Sequence, residues 1–193
     1  AGRIGQQLGV EGGIAAALGT WDNPEKHMAD TLVAGAGLCD ETAVEILVRE
    51  GVRCVQELID LGMPFTRKED GKLHFGREGG HGESRVLHTH DHTGRSLESF
   101  LLEKVSAEKN IRMLSNHCVV ELATEHHLQS RENSTTVFGA YVLNAKTGDI
   151  DLHKADYTIL ASGGAGRVYP VTTNPPVSTG DGVTVQGLRG GPS

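Results

Sequence analysis

Apolar residues recur at helical spacing in three stretches and at strand spacing in several others. Val44, Leu47, Val48, Val55, Leu58 and Ile59 fall on one face of a helix that Asp40 caps and Gly62 closes, with an interruption or kink expected at Gly51. A shorter helix opens at Asn23-Pro24-Glu25. There Asn is the cap, Pro takes the first helical position and Glu faces the positive end of the dipole. It should end near Gly35 or Gly37. Thr93 caps a third helix, with Leu97, Phe100, Leu101 and Val105 on one side. Residues 111–114 and 118–122 read as short strands. Residues 137–143 and 150–153 flank Lys146-Thr147-Gly148-Asp149 and read as a hairpin. Residues 157–161 read as a buried strand that runs into Ser162-Gly163-Gly164. Gly12-Gly13-Ile14-Ala15-Ala16-Ala17-Leu18 reads as a turn entering a short helix. Two polar stretches remain, the connection 125–135 and the Gly- and His-rich loop 63–92. Loops of that second length are usually functional. The order of elements predicts an α/β fold with an antiparallel insertion and no internal repeat.

Composition sharpens this picture in one respect. Glycine makes up 26 of 193 residues, about twice the usual ~7%, while aromatic residues are only 4%. Abundant glycine without a repeat points to tight turns and close backbone approaches, as in α/β proteins that hold nucleotides. The net charge of −7, with no Lys/Arg block, argues against a nucleic-acid surface. No apolar run approaches the roughly 20 residues of a membrane span, and no basic-then-apolar leader is visible. Cys39, Cys54 and Cys118 form no CxxC pair and no even framework, so a reducing, cytosolic compartment is expected. The opening Ala1 and the closing Gly191-Pro192-Ser193 point to a segment of a longer chain.

Four stretches have the residue types for chemistry. His88-Thr89-His90-Asp91-His92 resembles the HxHxDH zinc signature, but it is one residue short, which moves Asp91 and His92 out of register. A polar loop ahead of a helix explains it as well, and no metal is expected. Ala161-Ser162-Gly163-Gly164-Ala165-Gly166 follows a predicted strand, where a cofactor turn belongs, although strand ends often carry glycine for other reasons. Ser178-Thr179-Gly180-Asp181-Gly182 precedes a helix. Its N–H groups suit an anion and Asp181 suits a hydroxyl, while the same residues equally describe an Asp-Gly turn. Arg77-Glu78-Gly79-Gly80-His81 sets an acid and two bases around a flexible turn. Glu78 suits an ammonium group and Arg77 a carboxylate, and a solvated loop has the same composition. Gly35-Ala36-Gly37 fails as a dinucleotide fingerprint because Asp40 takes the third position between two helices. There is no GxSxG and no P-loop.

Together these segments form an ordered set. GGIAAALG, DTLVAGAGLCDETAV, REGGH-x5-LH-x2-D-x-TGR and ILASGGAGRVY-x3-TNP-x3-TGDG follow one another along the chain. In order and spacing the set resembles the L-aspartate oxidase flavoproteins, within the succinate dehydrogenase and fumarate reductase flavoprotein group, from about Gly12 to Gly182. The resemblance implies a partial FAD-binding domain over residues 1–193, Rossmann-like, with an antiparallel β insertion. The family's N-terminal strand–GxGxxG–helix unit and its C-terminal domains would lie outside it. It implies contact with FAD at Gln6, Gln7, Leu8, Gly9, Val10, Glu11, Gly12 and Gly13 near the isoalloxazine ring, at Val119 and Val120 by the adenine, at Ala161, Ser162, Gly163 and Gly164 by the phosphates, and at Asp181. It also implies that Glu78 is the catalytic-site residue that meets the substrate amino group.

Two positions separate the branches of that group. The dehydrogenases and reductases carry a Gly-Gly-Gln type sequence where Glu78-Gly79-Gly80-His81 stands here. Their flavin-linking His corresponds to Gln6, so the FAD is expected to be non-covalent. Glu11 replaces the family's Gln, and a carboxylate there opposes the negative charge of a reduced flavin. The implied reaction is oxidation of L-aspartate to iminoaspartate, with oxygen or fumarate reoxidising the flavin, at the start of NAD biosynthesis through quinolinate. Quinolinate synthase is the implied protein contact. The segments 61–67 and 69–72 resemble the dehydrogenase branch equally, which keeps a fumarate reductase or succinate dehydrogenase flavoprotein as the second reading. A third reading is an inactive truncated chain. The family's catalytic Arg and remaining substrate ligands lie beyond Ser193, so these residues alone are expected to bind FAD weakly and not to turn over.

Overall fold

A computed structural model of the chain describes residues 12–89, 93–125 and 136–187. They divide into two compact units, one within residues 12–111 and the other within 112–187. No helix among the described residues is long and apolar enough to cross a membrane.

The first unit contains a small sheet and three helices. Strand β1 (Ile14–Ala15) and strand β2 (Phe75–Gly76) pair antiparallel with opposite edges of a central strand, β3 (Val86–Leu87). Ile14 and Phe75 both lie opposite Leu87. The short helix expected after Gly12 is therefore a strand, and the 63–92 loop is tied down by two strands. The reason is visible at Gly13. A Cβ there would overlap Val86 Cγ1 and the Leu87 carbonyl, so only glycine lets the backbone lie against β3.

Helix α1 (Pro24–Ala34) starts as predicted. The Asn23 side chain accepts the Lys26 N–H at 2.8 Å, and the helix stops at Gly35. Cys39 closes over its end and fills the space beside Gly35, which makes it a packing residue. Helix α2 (Glu41–Asp60) starts at Asp40, whose carboxylate accepts the Ala43 N–H at 3.0 Å. It buries Val44, Val48 and Val55. It runs unbroken through Gly51, contrary to the kink expected there. A helical glycine costs only about 1 kcal/mol, and Arg53 spans that turn with bonds to Glu50 and Glu57. The C-terminus is a Schellman motif. Gly62 takes φ +93°, its N–H reaches Ile59 O, and the Met63 N–H reaches Leu58 O. The chain thereby delivers Met63 and Phe65 into a core with Ala16, Val55 and Leu87, against which Leu97 and Phe100 pack.

Those two residues come from helix α3 (Thr93–Ala107). Thr93 is its first residue and does not act as its expected cap. Its hydroxyl oxygen instead accepts the Thr89 N–H at 3.1 Å. Leu101, expected on the inner face, is exposed, and Leu102 is half-buried in its place.

The second unit is an antiparallel meander of β4 (His117–Thr124), β5 (Val137–Asn144) and β6 (Ile150–Lys154), with helix α4 (Asp181–Gly187) beside β4. The hairpin between β5 and β6 is the predicted one. Gly148 turns at φ +83° and donates to Asn144 O at 2.8 Å. Residues 111–114 form no strand. Residues 157–161 form none either, and Tyr157 and Ile159 are 90% and 88% exposed. Among the described residues no neighbouring strand pairs with them, and β propensity without a neighbour is weak.

Gly139 is held at φ +147° against β6, where a Cβ would overlap the His153 carbonyl. Gly139→Ala should cost about 2–4 kcal/mol through backbone strain and overlap. Chemical denaturation checks the size, and faster amide exchange along β5 and β6 checks the place.

Candidate functional site

In the first unit the site is built around α1. His27, Asp30 and Ala34 recur at helical spacing and so share one side of the helix. The turn that carries Glu78 rests on that side. His81 meets His27 edge-on, with ring centroids 6.1 Å apart. The Gly82 N–H donates to Asp30 Oδ2 at 2.6 Å. A Cβ on Gly80 would touch the Ala34 methyl. The turn also closes on itself. Arg77 Nε donates to His81 O at 2.8 Å, the His81 N–H donates to Glu78 O at 3.2 Å, and Gly80 takes φ +87°. Glu78 itself is exposed, and among the described residues nothing bonds to its carboxylate. It is presented outward by a turn whose two ends are both fastened.

Beneath the turn lies a group that no sequence motif marks. Arg85 is completely buried in the position just before β3. Its Nε and Nη2 donate to Asp22 Oδ2 and Oδ1 at 2.8 and 3.0 Å, while its Nη1 donates to Asp30 Oδ2 at 2.5 Å. Asp22 is equally buried, and Asp30 is 23% exposed. Only a planar guanidinium can serve two carboxylates in this way. The same corner is closed from outside by Lys26, which bonds Glu83 at 2.7 Å and Trp21 O at 2.8 Å. Trp21 in turn donates to Ser84 O and packs edge-on against Phe75.

The charges shift accordingly. Burial opposes the Asp22 charge, but the bonds from Arg85 and the Asn23 N–H outweigh it and hold the carboxyl below its usual range. The Gly82 N–H and then Arg85 do the same for Asp30. The Asp22 hydrogen bond raises the already high value of Arg85. His27 moves the other way. Burial lowers it, and the nearby Arg85 and His81 add to that beyond what Asp22 and Asp30 restore. The Nδ1 atoms of both His27 and His81 are buried without a hydrogen-bond partner among the described residues.

These directions fix a pH dependence. Above pH 6.5 His27 is neutral folded or unfolded and contributes nothing. As pH falls below 6.5 the unfolded chain takes up the proton first, so stability declines. The Asp22 and Asp30 contributions are complete above pH 3.8 and are lost as pH drops further through their lowered values. Denaturation midpoints measured from pH 7.5 to 5 should fall for the wild type, and His27→Gln should flatten that fall.

In the His-rich stretch two of the described rings pair. His74 Nδ1 and His88 Nε2 share a hydrogen bond at 2.7 Å, with the rings edge to face. Among the described residues no three metal-binding side chains converge. His90, Asp91 and His92 lie outside the described residues.

In the second unit two distant predicted segments meet. The Gly180 N–H donates to Gly164 O at 3.2 Å, and the Arg167 N–H donates to Ser178 O at 2.9 Å. A Cβ on Gly182 would overlap Ser162 Oγ. Residues 161–164 therefore lie against the start of α4, where Asp181 is the first residue. Gly163 takes φ +79° with open space around it, as has Gly164. Among the described residues the N–H groups of Ala161, Ser162, Gly163 and Gly164 are not taken up by the protein. An exposed glycine turn with unspent N–H donors beside a helix start suits the phosphates of a dinucleotide. Val119 and Val120 sit elsewhere in that unit, on β4. A bulge between Val119 and Glu121 leaves Val120 without a partner on β5, and the two are 39% and 37% exposed.

Residues 9–192 match the FAD binding domain family. The chain belongs to that family. The glycine turn at residues 161–164 fits the cofactor that the family's name implies. The cofactor-contact expectations at Gln6, Gln7, Leu8, Gly9, Val10 and Glu11 fall outside the described residues. Gly12 and Gly13 are described, and β3 alone accounts for the glycine at 13.

Relatives narrow the branch. The chain is 45% identical over 177 residues to the chloroplastic L-aspartate oxidase of Arabidopsis thaliana, covering 91% of this chain and 26% of that protein. It is 41% identical over 188 residues to the L-aspartate oxidase of Pseudomonas aeruginosa, covering 94% and 35%. Among solved structures, a chain of E. coli quinol fumarate reductase superposes with a TM-score of 0.82 at 28% identity, over 94% of this chain and 30% of that one. A chain of the Mycobacterium smegmatis Sdh1 complex gives 0.79, also at 28% identity, over 96% and 32%. The chain thus spans about a quarter to a third of the length of the relatives it matches.

Proposed function

We propose that this chain is the part of an L-aspartate oxidase that presents Glu78 to the substrate amino group and holds part of a non-covalent FAD. The supporting observation is the 45% identity to an L-aspartate oxidase over 91% of the chain, taken with the fastened turn that aims the Glu78 carboxylate outward. A bound FAD would supply the hydride acceptor for oxidation of L-aspartate to iminoaspartate, with oxygen or fumarate as the final electron acceptor. Glu78 contributes a fixed negative charge for the substrate ammonium group. The N–H groups of Ala161, Ser162, Gly163 and Gly164 face the FAD phosphates in this reading, Asp181 accepts from a hydroxyl, and Val119 and Val120 flank the adenine. Gly12 and Gly13, with residues 6–11, approach the ring. Residues 1–193 then form part of one FAD-binding domain. The reading also places the protein in the cytoplasm, with quinolinate synthase as a contact that takes up the unstable product.

A fumarate reductase or succinate dehydrogenase flavoprotein is the second reading, favoured by the superposition on quinol fumarate reductase. One titration separates the two. The FAD-loaded full-length protein carrying this segment is treated anaerobically with L-aspartate and then with succinate. Loss of the oxidised flavin band with aspartate alone supports the first reading. Loss with succinate alone supports the second. A full-length protein without a flavin band overturns both.

A further inference from the structure

The substrate-facing turn has one anchor that belongs neither to the turn nor to the proposed binding residues. Asp30 Oδ2 accepts both the Gly82 N–H at 2.6 Å and Arg85 Nη1 at 2.5 Å. Arg85 is locked in turn by two bonds to the buried Asp22. Glu78 lies four residues from Gly82, and its own carbonyl accepts the His81 N–H next to that anchor. The carboxylate of Glu78 is exposed and bonds to nothing among the described residues, so among them its placement comes from the backbone that carries it. Among the described residues the Gly82 N–H makes the turn's one backbone hydrogen bond to α1, a charge-assisted one, beside the His81–His27 ring contact and the Lys26–Glu83 ion pair. There is little slack, since a Cβ on Gly82 would come within 3.1 Å of Asp30 Oδ1.

We propose that Asp30 is a positioning residue for Glu78. It acts through the Gly82 N–H and sets how strongly the site prefers an amino-dicarboxylate over a plain dicarboxylate. The inference rests on the reading of Glu78 as the ammonium partner. A group that positions an ammonium ligand affects substrates with that ammonium and spares those without it. A group needed only for folding affects both. Misplacement of a binding group by about 1 Å is enough to cost up to 10²-fold.

The test uses the full-length, FAD-loaded protein carrying this segment. The KM for L-aspartate is compared with the Kd for succinate, read from the shift of the flavin band. Glu78→Gln sets the scale of losing ammonium recognition. Asp30→Ala removes the anchor and leaves the Arg85–Asp22 pair in place. It is expected to raise the aspartate KM about tenfold and to leave the succinate Kd within about threefold. Asp30→Asn can keep an acceptor at the Oδ2 position, so it should restore most of the loss. Gly82→Ala pushes the turn off the same carboxylate with every charge retained, and should act in the same direction even if Asp30→Ala fails to fold. The double variant Asp30→Ala/Glu78→Gln should be no worse than Glu78→Gln alone.

The proposal is overturned if the Asp30 and Gly82 variants weaken aspartate and succinate equally, if they leave both unchanged, or if their effects add to that of Glu78→Gln. If Glu78→Gln itself leaves the aspartate-to-succinate ratio unchanged, the ammonium reading of Glu78 has failed, and the role of Asp30 fails with it.

Discussion

Arg85→Met should destabilise the protein by about 3–5 kcal/mol, a large share of the 5–15 kcal/mol that holds a typical domain together. Methionine nearly fills the volume, so the loss is not one of packing. The Asp22 side chain is completely buried, and its two oxygens take both Nε and Nη2 of Arg85. Without the guanidinium it becomes a buried carboxylate with no cationic partner, only the Asn23 N–H, which is the costly half of any broken internal ion pair. Arg85→Lys should recover less than half of the loss, because one ammonium cannot meet Asp22 with two bonds and Asp30 with a third. Asp22→Asn in the Arg85→Met background should recover more, because it removes the stranded charge. Chemical denaturation of the full-length protein measures all three variants. A loss under 1 kcal/mol for Arg85→Met would mean that the buried pair is not what holds this corner.

Glu78→Gln should lower kcat/KM for L-aspartate about 10- to 100-fold. A hydrogen bond to a charged group contributes about 1.5–3 kcal/mol, and each 1.4 kcal/mol is a factor of ten. The substitution keeps the shape and one acceptor oxygen and removes only the charge. Because the carboxylate is exposed and bonded to nothing in the described residues, no structural partner is lost with it. Stability should therefore stay within about 0.5 kcal/mol of the wild type, as for other surface substitutions. Steady-state kinetics with a parallel melting curve checks both halves. An unchanged kcat/KM would remove Glu78 from the site.

The two sites of these substitutions were not equally legible in the sequence. Glu78 lies in a compact motif, REGGH, and could be named from the chain alone. Arg85 is separated from Asp22 by 63 positions and from Asp30 by 55, with no periodicity to link them. The one available signal was the helical spacing of His27 and Asp30 on α1, which marks a polar side facing inward. Elements with local causes were also legible. Asn23 and Asp40 cap as read, Gly62 terminates α2 and Gly148 turns the hairpin. Elements with distant causes were not. Strands β1, β2 and β3 are two residues each, too short for alternation to show. Their pairing is set by contacts between residues 14–15 and 86–87 across the whole unit. The apolar run at 157–161 reads as a strand by composition, but with no neighbouring strand among the described residues it stays irregular.

Fastening the Glu78 turn to α1 also decides where this chain tolerates change in length. The stretch before the turn closes its own small loop. Lys68 N–H reaches Lys72 O, and Arg67 bridges to Leu73. Residues added at its tip, around Asp70 and Gly71, would bulge into solvent and leave the aim of the carboxylate untouched. A single residue added between Glu78 and Gly82 would break the register between that turn and the side of α1 it rests on. Insertions in natural or engineered variants should therefore collect at the first place and be missing from the second, although the two lie only eight residues apart.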